Sequence, residues 1–290
     1  MEEDSNKPLN NRAIGGDQYA PGSVFKLVTT AALLENDPSL NADTIVEAPT
    51  KWKPPDSDKE IGNYAGGACG NGSGKVTLRT AIALSCNTPF AILTVDMGAH
   101  KLVDQAESFG FEESFNIPLD VNPSRLPTPT SQAALATDSF GQNDVMVTPL
   151  QMAMVGAAIA NDGTLMTPYL VERTYTADLE LISETEPTIY SQPIRTTTAI
   201  ELEEMMIDVV RTGTGRAAAI PGVEVAAKTG TAEVPGKAPH AWFVGYAPAN
   251  DPQIVVAIVV ENSGRAGDAG TGSAVAAPMA KQILTVGLSK

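Results

Sequence analysis

After a turn at Pro21-Gly22-Ser23 the chain carries Phe25, Leu27, Val28, Ala31, Ala32, Leu33 and Leu34, apolar on nearly every side of one helix. A helix without a polar face cannot rest on a surface and has to be wrapped by other elements. This rules out a small open fold. With 290 residues, 43% hydrophobic and 18% charged, the chain can build such a wrapping, as one large domain or two interlocked subdomains.

The wrapping is legible as two kinds of pattern. Residues 1–20, polar and with Gly15 and Gly16, read as an arm or loop. Between Asn36 and Gly74 the chain is rich in Pro, Gly, Asp and Asn, which predicts loops and short hairpins. Helical periodicity follows at Thr77–Leu84, Thr88–Met97 and Lys101–Phe109, and Pro118 to Pro129 is irregular again. Thr148-Pro149 predicts an N-cap and first-turn proline for a helix over Leu150–Ala160, closed by Asn161-Asp162-Gly163. Another helix is expected from about Thr198 to Val210. The period then becomes extended: Val223–Lys228, Ala241–Ala247 and Ile254–Glu261 read as three strands of an antiparallel meander, with a last helix near Ser273–Val286 to cover it. The expected class is α+β: an antiparallel sheet flanked by helices, plus an all-helical subdomain. One domain over 1–290 is expected, its helical subdomain roughly 36–200 and its sheet subdomain roughly 1–35 and 201–290.

Charge and composition exclude several functions. The net charge is −15, and no stripe of Lys and Arg is present to neutralise phosphates, which argues against nucleic acid. The longest apolar run, Ile254 to Val260, is too short to span a bilayer. Met1 is followed by Glu2, Glu3 and Asp4, so no signal-peptide pattern opens the chain, and the start reads as a trimmed boundary. His100 and His240 are the only histidines, without zinc-ligand spacing, so no metal and no cofactor is expected. Cys69 and Cys86 permit one disulfide or two buried thiols.

Three short motifs carry chemistry. Ser23 and Lys26, three apart at a helix start, lie within reach of each other, and an amine deprotonated by burial can take the hydroxyl proton. The helix N-terminus adds free N–H groups facing the same point. Taken alone, the pair reads as a capped helix with a lysine reaching water, a pattern common by chance. Ser85-Cys86-Asn87 sits between two apolar helical segments and by itself reads as a helix break. Lys228-Thr229-Gly230-Thr231 ends a strand, where a glycine admits close approach and the threonines offer hydroxyls to a carboxylate. Their order, S-x-x-K, S-x-N, K-T-G, on helix, helix junction and strand, changes the reading of all three.

In that order the motifs resemble the transpeptidase domain of penicillin-binding proteins. The likeness extends through Asn11-Arg12-Ala13, Tyr19–Lys26, Gly141-Gln142, Thr148–Ala153, Ala158–Gly163 and Ala241–Pro248. Ser85-Cys86-Asn87 with Gly66-Gly67-Ala68-Cys69-Gly70 is similar to the class B, A-type penicillin-binding proteins of actinobacteria.

The resemblance implies a fold shared with serine β-lactamases and a D,D-transpeptidase that cross-links peptidoglycan stem peptides through an acyl-enzyme blocked by β-lactams. It assigns Ser23 as nucleophile, Lys26 as its base, and Ser85 with Lys228 as the proton path to the leaving amine. Asn87 is expected to bind the substrate backbone, Thr229, Gly230 and Thr231 to receive the terminal carboxylate, and the N–H groups of Ser23 and Thr231 to form the oxyanion hole. The family's extracytoplasmic setting favours a disulfide between Cys69 and Cys86. It also implies a membrane anchor and contacts with cell-wall synthesis or division proteins through an N-terminal region outside these residues. Trp242 and Phe243 are expected to pack, His240 to be a surface or capping residue, and Gly141-Gln142 to shape either a cleft wall or a plain turn.

In the family two further strands precede the nucleophile helix, and residues 1–20 show no good strand pattern, so an incomplete sheet is expected. A serine β-lactamase is a second reading, but no E-x-x-L-N-like segment lies between Asn87 and Lys228. A D,D-carboxypeptidase or an acylated β-lactam sensor, a binding module without turnover, would carry the same three motifs.

Overall fold

A computed structural model describes residues 10–16 and 18–289; the expected arm at 1–20 falls partly outside the described residues. The apolar helix is central, as its composition demands. A tight 3₁₀ turn, Gly22–Phe25, leads into α1, Lys26–Asn36, and every residue from Lys26 to Leu34 is buried. It is wrapped by α3 (Thr88–Met97), α4 (Ala99–Ser108) and α7 (Thr196–Arg211). Between α1 and α3 lies short α2, Leu78–Ala83, capped by the Thr77 hydroxyl. α6, Pro149–Ala160, starts on Thr148, whose hydroxyl accepts the Gln151 N–H, so the predicted cap and first-turn proline are both in place.

Strand Ala226–Val234 pairs antiparallel with Lys237–Ala247, which pairs with Ile254–Val260. Alternation sends successive side chains to opposite faces. Trp242, Val244 and Tyr246 point toward α6 and α7 and join the main core. Ala241, Phe243 and Ala247 point the other way, into a second cluster with α8, Ala277–Gly287. Trp242 and Phe243 are both fully buried, so both pack, on opposite faces. Among the described residues the sheet has three strands, with Ile254–Val260 at its outer edge.

Three details differ from expectation. The first strand does not stop at Lys228: a turn at Pro235-Gly236 lets Val234 pair with Lys237, so the ladder runs through the whole K-T-G motif. The last helix begins with a wide π turn, Gly272–Ala276, before α8. Helix α5, Gln132–Asp138, and a hairpin pairing Arg173–Tyr175 with Leu181–Glu184 were not anticipated. The hairpin strands are exposed on both faces, so no core-facing alternation marks them.

Candidate active site

The 3₁₀ turn at Gly22 brings Ser23 to the mouth of a cleft of about 870 Å³, and Lys26 lies one turn deeper, fully buried. Lys26 Nζ is 3.0 Å from Ser23 Oγ, 2.8 Å from the Ser85 carbonyl and 2.8 Å from Asn87 Oδ1, with Ser85 Oγ at 3.4 Å. A neutral amine has two N–H donors and one lone pair. With the Ser85 and Asn87 oxygens taking the two N–H groups, the lone pair faces the Ser23 hydroxyl.

From the other side Lys228 Nζ donates to Ser85 Oγ at 2.7 Å and to the Thr229 carbonyl at 2.9 Å. Ser85 therefore stands between two amines, its backbone in the left-handed region at φ 58°. Every hydrogen-bond partner of both amines is a neutral oxygen. Burial, and next the charge of Lys228, hold Lys26 well below the usual lysine range. Burial pushes Lys228 down to about 7. Lys228 is thus poised to exchange protons near neutral pH, and the buried Lys26 amine is held toward its neutral form.

Several contacts aim the turn that carries Ser23. Gly22 N–H donates to the Gly141 carbonyl at 2.8 Å. Gly141 has φ 74°, and a Cβ there would stand 2.2 Å from the Gly22 carbonyl oxygen, so only glycine lets the two turns meet. Gln142 lines the cleft, whereas Gly141 serves the turn behind it. Opposite, a Cβ at Gly230 would come within 3.0 Å of the Pro21 carbonyl oxygen. His240 is half-buried and its Nδ1 accepts the Asn262 N–H at 2.9 Å, a capping role as expected.

The structure brings Ser23, Lys26, Ser85, Asn87, Lys228, Thr229, Gly230 and Thr231 to this one cleft or its floor. Cys69 and Cys86 are disulfide-bonded, tying the 62–74 loop region to the residue between Ser85 and Asn87. Asn87 does not cap α3 with its side chain. That work falls to Asn63, whose Oδ1 accepts the N–H groups of Asn87 at 2.8 Å and Thr88 at 3.2 Å. Asn87 Nδ2 donates to the Gly62 carbonyl at 3.1 Å. Thr214, also unanticipated, lines the cleft and shares a 2.6 Å hydroxyl contact with Thr229. Asn63 sits in an irregular stretch and Thr214 in a helix-ending Thr-Gly-Thr-Gly run, so neither carries a local signal. Among the described residues no cluster suited to a metal ion occurs, and no helix is long and apolar enough to cross a membrane.

A serine, a buried lysine amine beside it, a second serine bridging to a second buried amine, and a hydroxyl-rich strand edge form an arrangement suited to acyl transfer on a serine. The chain belongs to the penicillin-binding protein transpeptidase domain family, which matches residues 1–285. It is 40% identical to the peptidoglycan D,D-transpeptidase PbpA of Mycolicibacterium smegmatis over 99% of this chain and 58% of that protein. The chain thus spans a little over half the length of that curated relative. Among solved structures it is similar to penicillin-binding protein A of M. tuberculosis as a ceftriaxone acyl-enzyme, with TM-score 0.93 and 37% identity, covering 99% of this chain and 64% of that one. It is also similar to a D,D-transpeptidase domain from Eggerthella lenta, with TM-score 0.85 and 38% identity, covering 97% of this chain and 68% of that one.

Proposed function

We propose that this chain is the catalytic domain of a D,D-transpeptidase that cross-links peptidoglycan stem peptides and is acylated by β-lactams on Ser23. The observation that carries this reading is the buried Lys26 amine 3.0 Å from Ser23 Oγ, with only neutral oxygens around it. Lys26 takes the hydroxyl proton as Oγ bonds to the carbonyl carbon of the penultimate D-alanine. The negative charge that forms on the carbonyl oxygen faces the N–H groups of Ser23 and Thr231. The C–N bond then breaks, and the departing D-alanine nitrogen receives a proton through Ser85 Oγ, resupplied by Lys228. An amine from a second stem peptide attacks the ester, returns a proton to the lysine network and restores the Ser23 hydroxyl.

Asn87 orients the donor peptide amide, and the Thr229 and Thr231 hydroxyls flank Gly230 where the terminal carboxylate lies. The cleft divides a helical lobe, roughly 36–200, from a sheet lobe formed by roughly 1–35 and 201–290. The Cys69–Cys86 bond supports an extracytoplasmic setting, where disulfides persist. The relatives' greater length supports a longer parent, held at the membrane and meeting cell-wall synthesis or division proteins through that further polypeptide.

Incubation with a fluorescent penicillin, followed by intact mass over hours, tests the reading. A stable adduct on the wild type and none on Ser23→Ala is expected. An adduct that persists in Ser23→Ala would overturn it. Rapid release of opened drug points to a lactamase instead, and adding a D-amino acid with a thioester donor separates amine transfer from hydrolysis.

A further inference from the structure

Asp138, the last residue of α5, is 1% exposed, and its Oδ2 has no protein hydrogen-bond partner among the described residues. Its Oδ1 accepts from the Asn143 side-chain amide at 3.2 Å and from the Asp144 N–H at 3.3 Å, while its backbone carbonyl accepts the Gly141 N–H at 2.8 Å. This one residue therefore closes the turn over 139–144 on itself. Phe140, Gln142 and Asn143 of that turn form a wall of the cleft. The turn is also tied to the nucleophile helix: Thr29 Oγ1 donates to the Ser139 carbonyl at 2.7 Å, and Gly22 N–H to the Gly141 carbonyl at 2.8 Å.

We infer that Asp138 is a positioning residue for acylation: its ionised carboxylate pins the turn that walls the cleft and registers Gly22, and with it Ser23, while proton uptake at the partnerless oxygen releases the pin. The inference rests on Ser23 being the nucleophile. Its physical basis is the asymmetry of the carboxylate. When ionised, Oδ1 makes charge-assisted bonds to two donors. When protonated, the acid loses that assistance and places a buried O–H at Oδ2 where no acceptor stands, so the group has to turn to satisfy it.

Burial raises Asp138 to about 6; the bonds from Asn143 and the Asp144 N–H oppose the rise and the Asp144 charge adds to it. The other ionisable groups on the elements around it are few. α3, which packs on α5, offers only Asp96, which is exposed, and α1 offers Lys26 and Glu35, which have partners elsewhere. Among the described residues no Lys, Arg or His is ion-paired to it.

The test is the second-order rate of penicillin acylation from pH 5 to 8 for wild type, Asp138→Asn and Asn143→Ala, with folding checked by circular dichroism and Ser23→Ala carried in parallel. The ratio of wild type to Asp138→Asn should be about fivefold at pH 7.5, the gap between a charge-assisted bond and a neutral one, and should fall toward unity as pH drops through about 6. Using the ratio cancels protonation of the lysines. In the Asn143→Ala background the effect of Asp138→Asn should shrink, because one end of the pin is already gone. A ratio that is unity at pH 7.5, or the same at every pH, overturns the inference. If Asp138→Asn does not fold, a loss of under twofold in Asn143→Ala at pH 7.5 overturns it. Labelling of Ser23→Ala sinks the underlying reading instead.

Discussion

The two faces of the three-stranded sheet are equally dry and do opposite work. On the outer face Phe243, Ala247 and Val256 meet Ala276, Ala277, Ala280 and Leu284 with no buried charge among them. On the inner face the same depth of burial encloses the amine of Lys228, with Lys26 beyond it on α1. Burial on the outer face stabilises by removing apolar area from water, whereas on the inner face it works against two groups that would otherwise be charged. The sheet thus separates the face that holds the fold together from the face where chemistry is prepared at a cost in stability. Substitutions on the two faces should therefore separate activity from stability.

The largest effect belongs to the inner face. Lys26→Met fills similar volume without an amine, and without its base Ser23 should acylate about a thousandfold or more slowly, measured as the second-order rate with a fluorescent penicillin. The same change removes a buried ionisable group, so the melting temperature should rise or hold. A variant that acylates at wild-type rate would remove Lys26 from the mechanism. A variant that melts far lower would remove the claim that this face is costly.

Phe243→Ala asks the converse. It empties a fully buried ring site on the outer face and should cost about 3–5 kcal/mol in denaturant unfolding. The acylation rate of the folded fraction should stay within a factor of about two, since the Phe243 ring lies on the face opposite the Lys228 amine and borders the cleft through its cross-strand partner Thr229. A large loss of rate at unchanged stability would show that the two faces are mechanically coupled.

Why one face could be read from the chain and much of the other could not follows from what each depends on. Ser23 with Lys26, Ser85 with Asn87, and Lys228 through Thr231 are short-range arrangements, set by one helical turn, one helix junction and one strand, so their order in the sequence survives into space. The alternation in Ala241–Ala247 and Ile254–Val260 is likewise local, and it marked the strands. Gly141 against Gly22, Asn63 at the start of α3 and Thr214 beside Thr229 are contacts between segments far apart in the chain. No periodicity announces such pairs. The first strand was placed short because Thr229-Gly230-Thr231 has weak strand character, which the Pro235-Gly236 turn overrides by supplying a partner. The exposed hairpin over 173–184 lacked a core-facing pattern because neither of its faces is buried.

The disulfide bridges the comparison, since it lies beside the chemistry yet acts on the unfolded chain. It closes a loop of 17 positions, and replacing Cys69 and Cys86 with serine should lower unfolding free energy by about 3 kcal/mol. If it only constrains the unfolded chain, acylation of the folded double variant should be unchanged. Slower acylation would mean that the bond also holds Ser85 and Asn87 in place.

The smallest effect tests the cost on the inner face directly. Lys228 titrates near 7 in the folded protein against 10.5 in a free chain, so the unfolded state binds the extra proton between those values. For a base whose folded pKa is lowered, stability is withheld below the unfolded pKa and returns as pH climbs from the folded value toward it. From pH 7 to 8.5 the Lys228 contribution should therefore raise unfolding free energy by about 1.5 kcal/mol. Lys26, lowered in the same direction, adds its own rise, so the measurement is the difference between wild type and Lys228→Met in urea titrations at the two pH values. A wild type whose stability climbs no more steeply than the variant's would mean that Lys228 keeps its proton in the folded state. It would then act only as a fixed cation beside Ser85, and proton delivery to the leaving amine would have to run from Lys26 through Ser85 alone.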